Sequence, residues 1–138
     1  MEESDKKLLA AELCARLPYG IKVKLGKHTW VVESVSYEKE GIYVWIEGGN
    51  FPIHAAKPYL RPLSSMTDDE EKEIQSINHC FCKYGKWIDA GVFSAEDCGC
   101  TVYEMAEIMD YLNSRHFDYR GLIEKGLALE APEGVYNN

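Results

Sequence analysis

Two short thiol clusters come closest to reactive chemistry in this chain, His79-Cys80-Phe81-Cys82 and Cys98-Gly99-Cys100. Thiolates and imidazoles are zinc ligands, and four of them close a tetrahedral site. On a helix, Cys80 and Cys82 would point about 200° apart, whereas His79 and Cys82 share a face. The set that geometry allows is therefore His79, Cys82, Cys98 and Cys100. Both pairs are Cys-x-Cys rather than the Cys-x2-Cys spacing that zinc sites favour. A cysteine also serves as a small buried hydrophobe. The expectation is no cofactor, with zinc on those four residues as the alternative.

A second constellation lies between residues 21 and 46. Alternation puts Ile42, Val44 and Ile46 on one side of a strand and Tyr43 and Trp45 on the other. Trp30 is a candidate cross-strand neighbour, and Lys22, Lys24 and Lys27 are close in sequence. Aromatics among lysines on a curled sheet hold single-stranded nucleic acid by stacking and charge. The competing expectation is that a helix covers this face and makes the sheet two-sided.

The other reactive types are dispersed. His28, His54, His79 and His116 are scattered, although His116-Phe117-Asp118 could orient an imidazole through a carboxylate. No Ser or Cys occupies a nucleophile-elbow pattern, and there is no phosphate loop. The acids at 68–71 are accounted for by helix capping. No catalytic residue is assigned, and the chain reads as a non-enzyme.

The elements that must position these residues follow from periodicity. Residues 5–16 predict a helix with Ser4 at its N-cap, closed by Pro18. Ile21 to Leu25 alternates as a half-buried strand, and Gly26-Lys27 signals a hairpin. A second strand is expected over about 28–37, a third over 42–46, and a short edge strand at Phe51-Pro52-Ile53-His54. Residues 57–67 read as an elbow that folds the next helix back over Tyr43 and Trp45. Thr67-Asp68-Asp69-Glu70 is a capping box opening a helix with stripe Ile74, Ile77, Phe81 and Tyr84. Trp87 to Phe93 fits a strand less clearly. Thr101 to Glu104 is a second box, and its helix should bury Val102, Met105, Ala106, Met109 and Leu112. Asp118 is expected to cap a turn ending at Gly126, Leu127 to Leu129 to form a short strand, and the last residues to be loose.

The expected fold is α+β: an N-terminal helix, a three- to four-stranded antiparallel meander of SH3-like or small-barrel type, then two main helices packed on the sheet. The 138 residues fit a single domain with sub-lobes 1–56, 57–67 and 68–138. Charge is uneven. Residues 16–65 carry seven basic and four acidic groups, and residues 66–138 carry six basic and fifteen acidic, within a chain of net −8. An acidic chain is a poor general polyanion binder. Nine tyrosines and an acidic C-terminal half favour a protein partner instead. No apolar run approaches a membrane span, the N-terminus lacks signal-peptide character, and five cysteines are an odd number. Those features predict no membrane contact and a cytoplasmic protein with reduced thiols.

Three blocks carry a resemblance: Leu13 to Gly20 (LCARLPYG), Lys57 to Thr67 (KPYLRPLSSMT) and Phe117 to Pro132 (FDYRGLIEKGLALEAP). They resemble small uncharacterised proteins of prophages and mobile elements in gut bacteria. The resemblance covers roughly half the chain and implies a bacterial or phage setting. It supplies no catalytic or binding residue. The function expected is that of a non-enzymatic accessory protein acting through protein–protein contact. A small nucleic-acid-binding barrel and a zinc-stabilised module are the alternatives.

Overall fold

The computed structural model describes residues 1–78 and 101–136, so His79, Cys80, Phe81, Cys82, Tyr84, the 87–93 segment, Cys98 and Cys100 lie outside the described residues. The chain divides into two compact units, residues 1–60 with 121–138, and residues 61–120. The class is α+β as expected. An N-terminal helix and antiparallel meander strands are present, and among the described residues the strands form two sheets that do not close into a barrel.

In the first unit, helix α1 spans Glu3–Arg16, two residues longer at its start than the sequence suggests. Glu2 occupies the N-cap without a side-chain cap bond, and Ser4 is already helical, so the expected Ser4 cap is corrected. Leu9 and Leu13, one turn apart, are fully buried with Ala10. Each such leucine contributes about 1.5–3 kcal/mol by leaving water. Pro18 ends the helix through a 3-10 turn, Leu17–Tyr19.

Strands β1 (Lys22–Leu25) and β2 (His28–Val31) form the hairpin expected at Gly26-Lys27. Gly26 has φ 63°, the left-handed geometry that lets so short a connection turn. The single strand expected over 28–37 is in fact two strands in two sheets. Val32 N–H donates to Ile21 C=O at 3.0 Å, while Glu33 N–H donates to Trp45 C=O at 2.8 Å. Adjacent residues thus bond to different sheets, and the chain turns a corner between them. Beyond it, β3 (Ser34–Glu38), β4 (Gly41–Ile46) and β5 (Gly49–Pro52) form an antiparallel meander in the order β3-β4-β5. Pro52 closes β5, the end position a proline tolerates.

Residues Lys57–Pro62 are a strand, β6, rather than the start of an elbow. Its first half pairs antiparallel with β1 (Val23 with Pro58, Lys24 with Lys57). Tyr59 and Leu60 pair in parallel with β8, Leu129–Glu130. Period-2 alternation persists through the prolines, with Pro58 and Leu60 buried and Lys57 exposed. One core joins the layers of this unit. Leu9 and Leu13 of α1 meet Ile21, Val23 and Val32, Ile42, Val44 and Ile46 of the meander, and Leu122 and Leu127 near the C-terminus.

As far as Tyr136, the last described residue, the C-terminal segment is anchored rather than loose. Lys22 N–H donates to the Tyr136 phenol oxygen at 2.9 Å, and that phenol donates to Tyr59 C=O at 2.8 Å. Burial first of all pushes the Tyr136 phenol up to about 12, against the opposing pull of the Lys22 backbone bond.

In the second unit, α2 spans Asp68–Gln75 with both halves of the Thr67–Glu70 capping box formed. It ends at Gln75, and of the two described residues of the expected stripe Ile74 is fully buried and Ile77 half-buried, while Phe81 and Tyr84 lie outside the described residues. Helix α3 (Val102–Ser114) starts from the second box as expected. Its buried side is Ile108 and Leu112, and Val102 is 83% exposed, so the predicted stripe is corrected at its N-terminal end. Short strand β7, Phe117–Asp118, pairs in parallel with Arg61 and Pro62, so Asp118 is not a helix cap. Met66, Ile74, Ile108, Leu112 and Phe117 form the core of this unit.

Candidate functional site

The alternation read from residues 42–46 is realised on β4. Ile42, Val44 and Ile46 are buried, Tyr43 is half-buried and Trp45 is exposed. Trp45 keeps 37% of its surface in water, which corrects the expected helical cover at that residue. Its neighbours follow from register. Trp45 lies between Ser34 on β3 and Asn50 on β5, and Tyr43 lies between Ser36 and Pro52. These flanking side chains are short, so the two rings stand as a strip along a three-stranded face. The Trp45 indole N–H donates to Ser36 Oγ at 2.9 Å. That bond fixes the ring and uses its only donor, leaving the π face for contact.

Charge around the strip is acidic. Exposed Glu38 pairs in register with Gly41 at one end, and exposed Glu47 follows Trp45 at the other. Residues 33–50 hold Glu33, Glu38, Glu40 and Glu47 against Lys39 alone.

The other residues of the nucleic-acid constellation are elsewhere in the unit. Trp30 sits opposite Val23, which is fully buried, and packs against the core. An edge contact with His28 flanks it, with centroids 6.1 Å apart. Lys22 is engaged through Nζ to Val135 C=O at 2.6 Å and lies 5.7 Å from the Tyr136 ring centroid. Lys24 is exposed beside Lys57, its register partner on β6, and Lys27 is exposed in the hairpin turn. The lysines thus belong to the first sheet and the Tyr43–Trp45 pair to the second. Lys57, one of the basic pair actually formed, was not among the residues picked from sequence.

Among the described residues, no group of three or more His, Cys, Asp or Glu could hold a metal ion. Cys14 is exposed on α1, and burial of its thiol raises its pKa. His28 and His54 are exposed. His116 is buried in left-handed backbone at φ 62°, and its carbonyl accepts from Arg61 N–H at 2.8 Å.

Among the described residues, two buried ion pairs go beyond what the sequence suggests. On α1, Arg16 Nη1 donates to Glu12 Oε2 at 2.6 Å and to Glu12 C=O at 2.9 Å. In the second unit, Arg61 grips Glu70 with both terminal nitrogens, at 2.8 and 2.7 Å, and reaches Ser65 C=O at 3.1 Å. Its guanidinium carbon lies 4.3 Å from the Phe117 ring centroid. Burial alone would raise the Glu70 carboxyl. The Arg61 hydrogen bond, the Thr67 backbone N–H and the Arg61 charge together outweigh it, and the pKa falls below the ordinary carboxylate value. The i,i+4 spacing could have flagged Glu12 with Arg16. Nothing in sequence links Arg61 to Glu70, because the capping box already accounts for that glutamate.

No helix among the described residues is long and apolar enough to cross a membrane. Comparison of the chain with known protein families, with curated proteins and with solved structures finds no match.

Proposed function

We propose that this chain is a non-enzymatic interaction protein whose contact face is the outer side of the β3-β4-β5 meander. The observation that carries this reading is Trp45, exposed on a central strand yet held in one orientation by Ser36. Exposing an indole forgoes burial free energy, and a fixed Trp beside a Tyr is the composition of an interface anchor. The resemblance of the three sequence blocks to prophage and mobile-element proteins supports an accessory role in that setting. Protein is favoured over nucleic acid as partner because exposed glutamates, Glu38 and Glu47, follow the two ends of the aromatic strip and repel phosphates.

A displayed library of random peptides tests the reading. The wild-type chain should enrich a set of sequences that Trp45→Ala and Tyr43→Ala do not. Equal enrichment by all three proteins, or none by the wild type, would overturn it. The nucleic-acid alternative draws on the exposed Lys24–Lys57 pair. It requires a single-stranded oligonucleotide to bind with an affinity that falls steeply with salt.

A further inference from the structure

We infer that the Tyr43–Trp45 strip takes an extended, proline-rich peptide with a basic side chain at each end, a refinement that rests on the interaction reading above. Three observations narrow the occupant. The first is backbone pairing. Strand β4 is bonded on both edges, to β3 and to β5, so it offers ring faces and no free edge for an added strand. Rings set between short side chains suit proline, whose flat apolar ring stacks on Tyr and Trp in grooves that read polyproline segments.

The second observation concerns donors. The carbonyls of a polyproline II segment make no internal hydrogen bonds and need partners. The Trp45 N–H is committed to Ser36. Donors near the rings are the Tyr43 phenol and the amide of Asn50, which is exposed directly opposite Trp45. A peptide lying along the strip meets ring faces and these two polar tips together.

The third is charge at matched spacing. The position of Glu38 is fixed by its partner Gly41, and Glu47 is six residues further along β4 and its turn. At strand rise that separation is about 20 Å. A polyproline II chain advances about 3.1 Å per residue, so six prolines between two lysines cover about 22 Å. Basic ends then fall near the two carboxylates. A polyanion would meet the same carboxylates as repulsion, which sets nucleic acid apart as an occupant.

The probe is an octapeptide of six prolines with a lysine at each end, titrated into the full chain and followed by tryptophan fluorescence and indole N–H resonances. Saturable binding that shifts the Trp45 resonance is expected. Trp45→Ala should weaken it at least about tenfold, with unchanged far-ultraviolet circular dichroism because the side chain is exposed, and Trp45→Phe should restore much of it. Glu38→Gln with Glu47→Gln should weaken binding about threefold or more at low salt and flatten its salt dependence. The same peptide with glutamate ends, or with glycine and serine replacing the prolines, should bind at least about tenfold more weakly. Equal binding of these controls overturns the inference. So does binding of oligothymidylate, or self-association of the chain, that is lost in Trp45→Ala. If the displayed library enriches Trp45-dependent peptides lacking proline or basic ends, the inference falls while the interaction reading stands. If neither the octapeptide nor the library is retained, both fall.

Discussion

Removing Arg61 while keeping Glu70 is the most informative single perturbation of the scaffold. Arg61 supplies two charge-assisted bonds of 2.8 and 2.7 Å to a glutamate whose side chain is 8% exposed. Breaking a buried pair by deleting one partner typically costs about 3–5 kcal/mol, because the other charge stays buried. Arg61→Met keeps much of the aliphatic volume over Phe117, and Glu70 retains the Thr67 N–H at 3.0 Å. The expected loss is therefore at the low end, about 3 kcal/mol at pH 7. The double variant Arg61→Met with Glu70→Met removes both charges and the cap contact. It should recover to within about 1 kcal/mol of wild type.

Acid provides the second axis. In wild type the Glu70 pKa is held below its ordinary value of 4.5, so its contribution is complete above that pH and fades as pH falls through the folded pKa. In Arg61→Met the opposing interactions from Arg61 are gone and burial governs, so the Glu70 pKa rises and acidification relieves the penalty. The stability gap between the two proteins should be widest at pH 7 and narrow steadily towards pH 4. Urea unfolding at each pH measures it, with amide exchange in α2 and α3 as the local readout, since two compact units need not open together. A gap under about 1 kcal/mol at pH 7, or one that stays constant to pH 4, would show that water screens the pair and would refute the reasoning.

Tyr136→Phe leaves Lys22 N–H and Tyr59 C=O without their shared phenol. It should cost about 1–3 kcal/mol in the first unit. In wild type the raised phenol pKa makes that anchor complete below pH 10 and lost as pH rises towards about 12. The variant should lack that part of the alkaline destabilisation in a melting series. Gly26→Ala places a Cβ in open space but in left-handed backbone, so chemical denaturation should show a loss of about 1 kcal/mol from conformation alone. Thr101→Ala should cost about 1 kcal/mol by removing one half of a capping box, and Ser replacement at Thr101 should recover most of it.

Local chemistry was legible wherever one residue's neighbours decide its state. Both capping boxes form as read, because each needs only a Thr and a Glu three residues apart. The β1–β2 hairpin and the two faces of β4 follow from Gly26 and from period-2 alternation. What failed depends on distant partners. The run from His28 to Tyr37 is rich in β-branched and aromatic residues with no turn signal to divide it, and only its pairing with β1 on one side and β4 on the other splits it at Val32-Glu33. Lys57–Pro62 carries two prolines that argue against a strand. Pro58 nonetheless packs inward beside Val23, and Arg61 and Pro62 pair with β7. The expected α3 stripe begins one turn too early, because Val102 is apolar yet lies in an exposed first turn. Nothing near Tyr136 in sequence signals its anchoring, because its partners, Lys22 and Tyr59, lie 114 and 77 positions away.

One error bears directly on function. A short meander with an apolar second face is marginal by itself, and that consideration pointed to a cover over Tyr43 and Trp45. The core is completed from the opposite side. Ile42, Val44 and Ile46 face Leu9 and Leu13 of α1, Val23 and Val32, and Leu122 and Leu127 from the end of the chain. With those residues supplying the buried area, nothing in the folding of this unit requires Trp45 to be hidden or to be aromatic. A threonine would also suit the strand and would not expose an indole to water. The presence of a fixed, exposed tryptophan where stability does not call for one is why the outer meander face, rather than the lysines or the thiols, is the place to look for a partner.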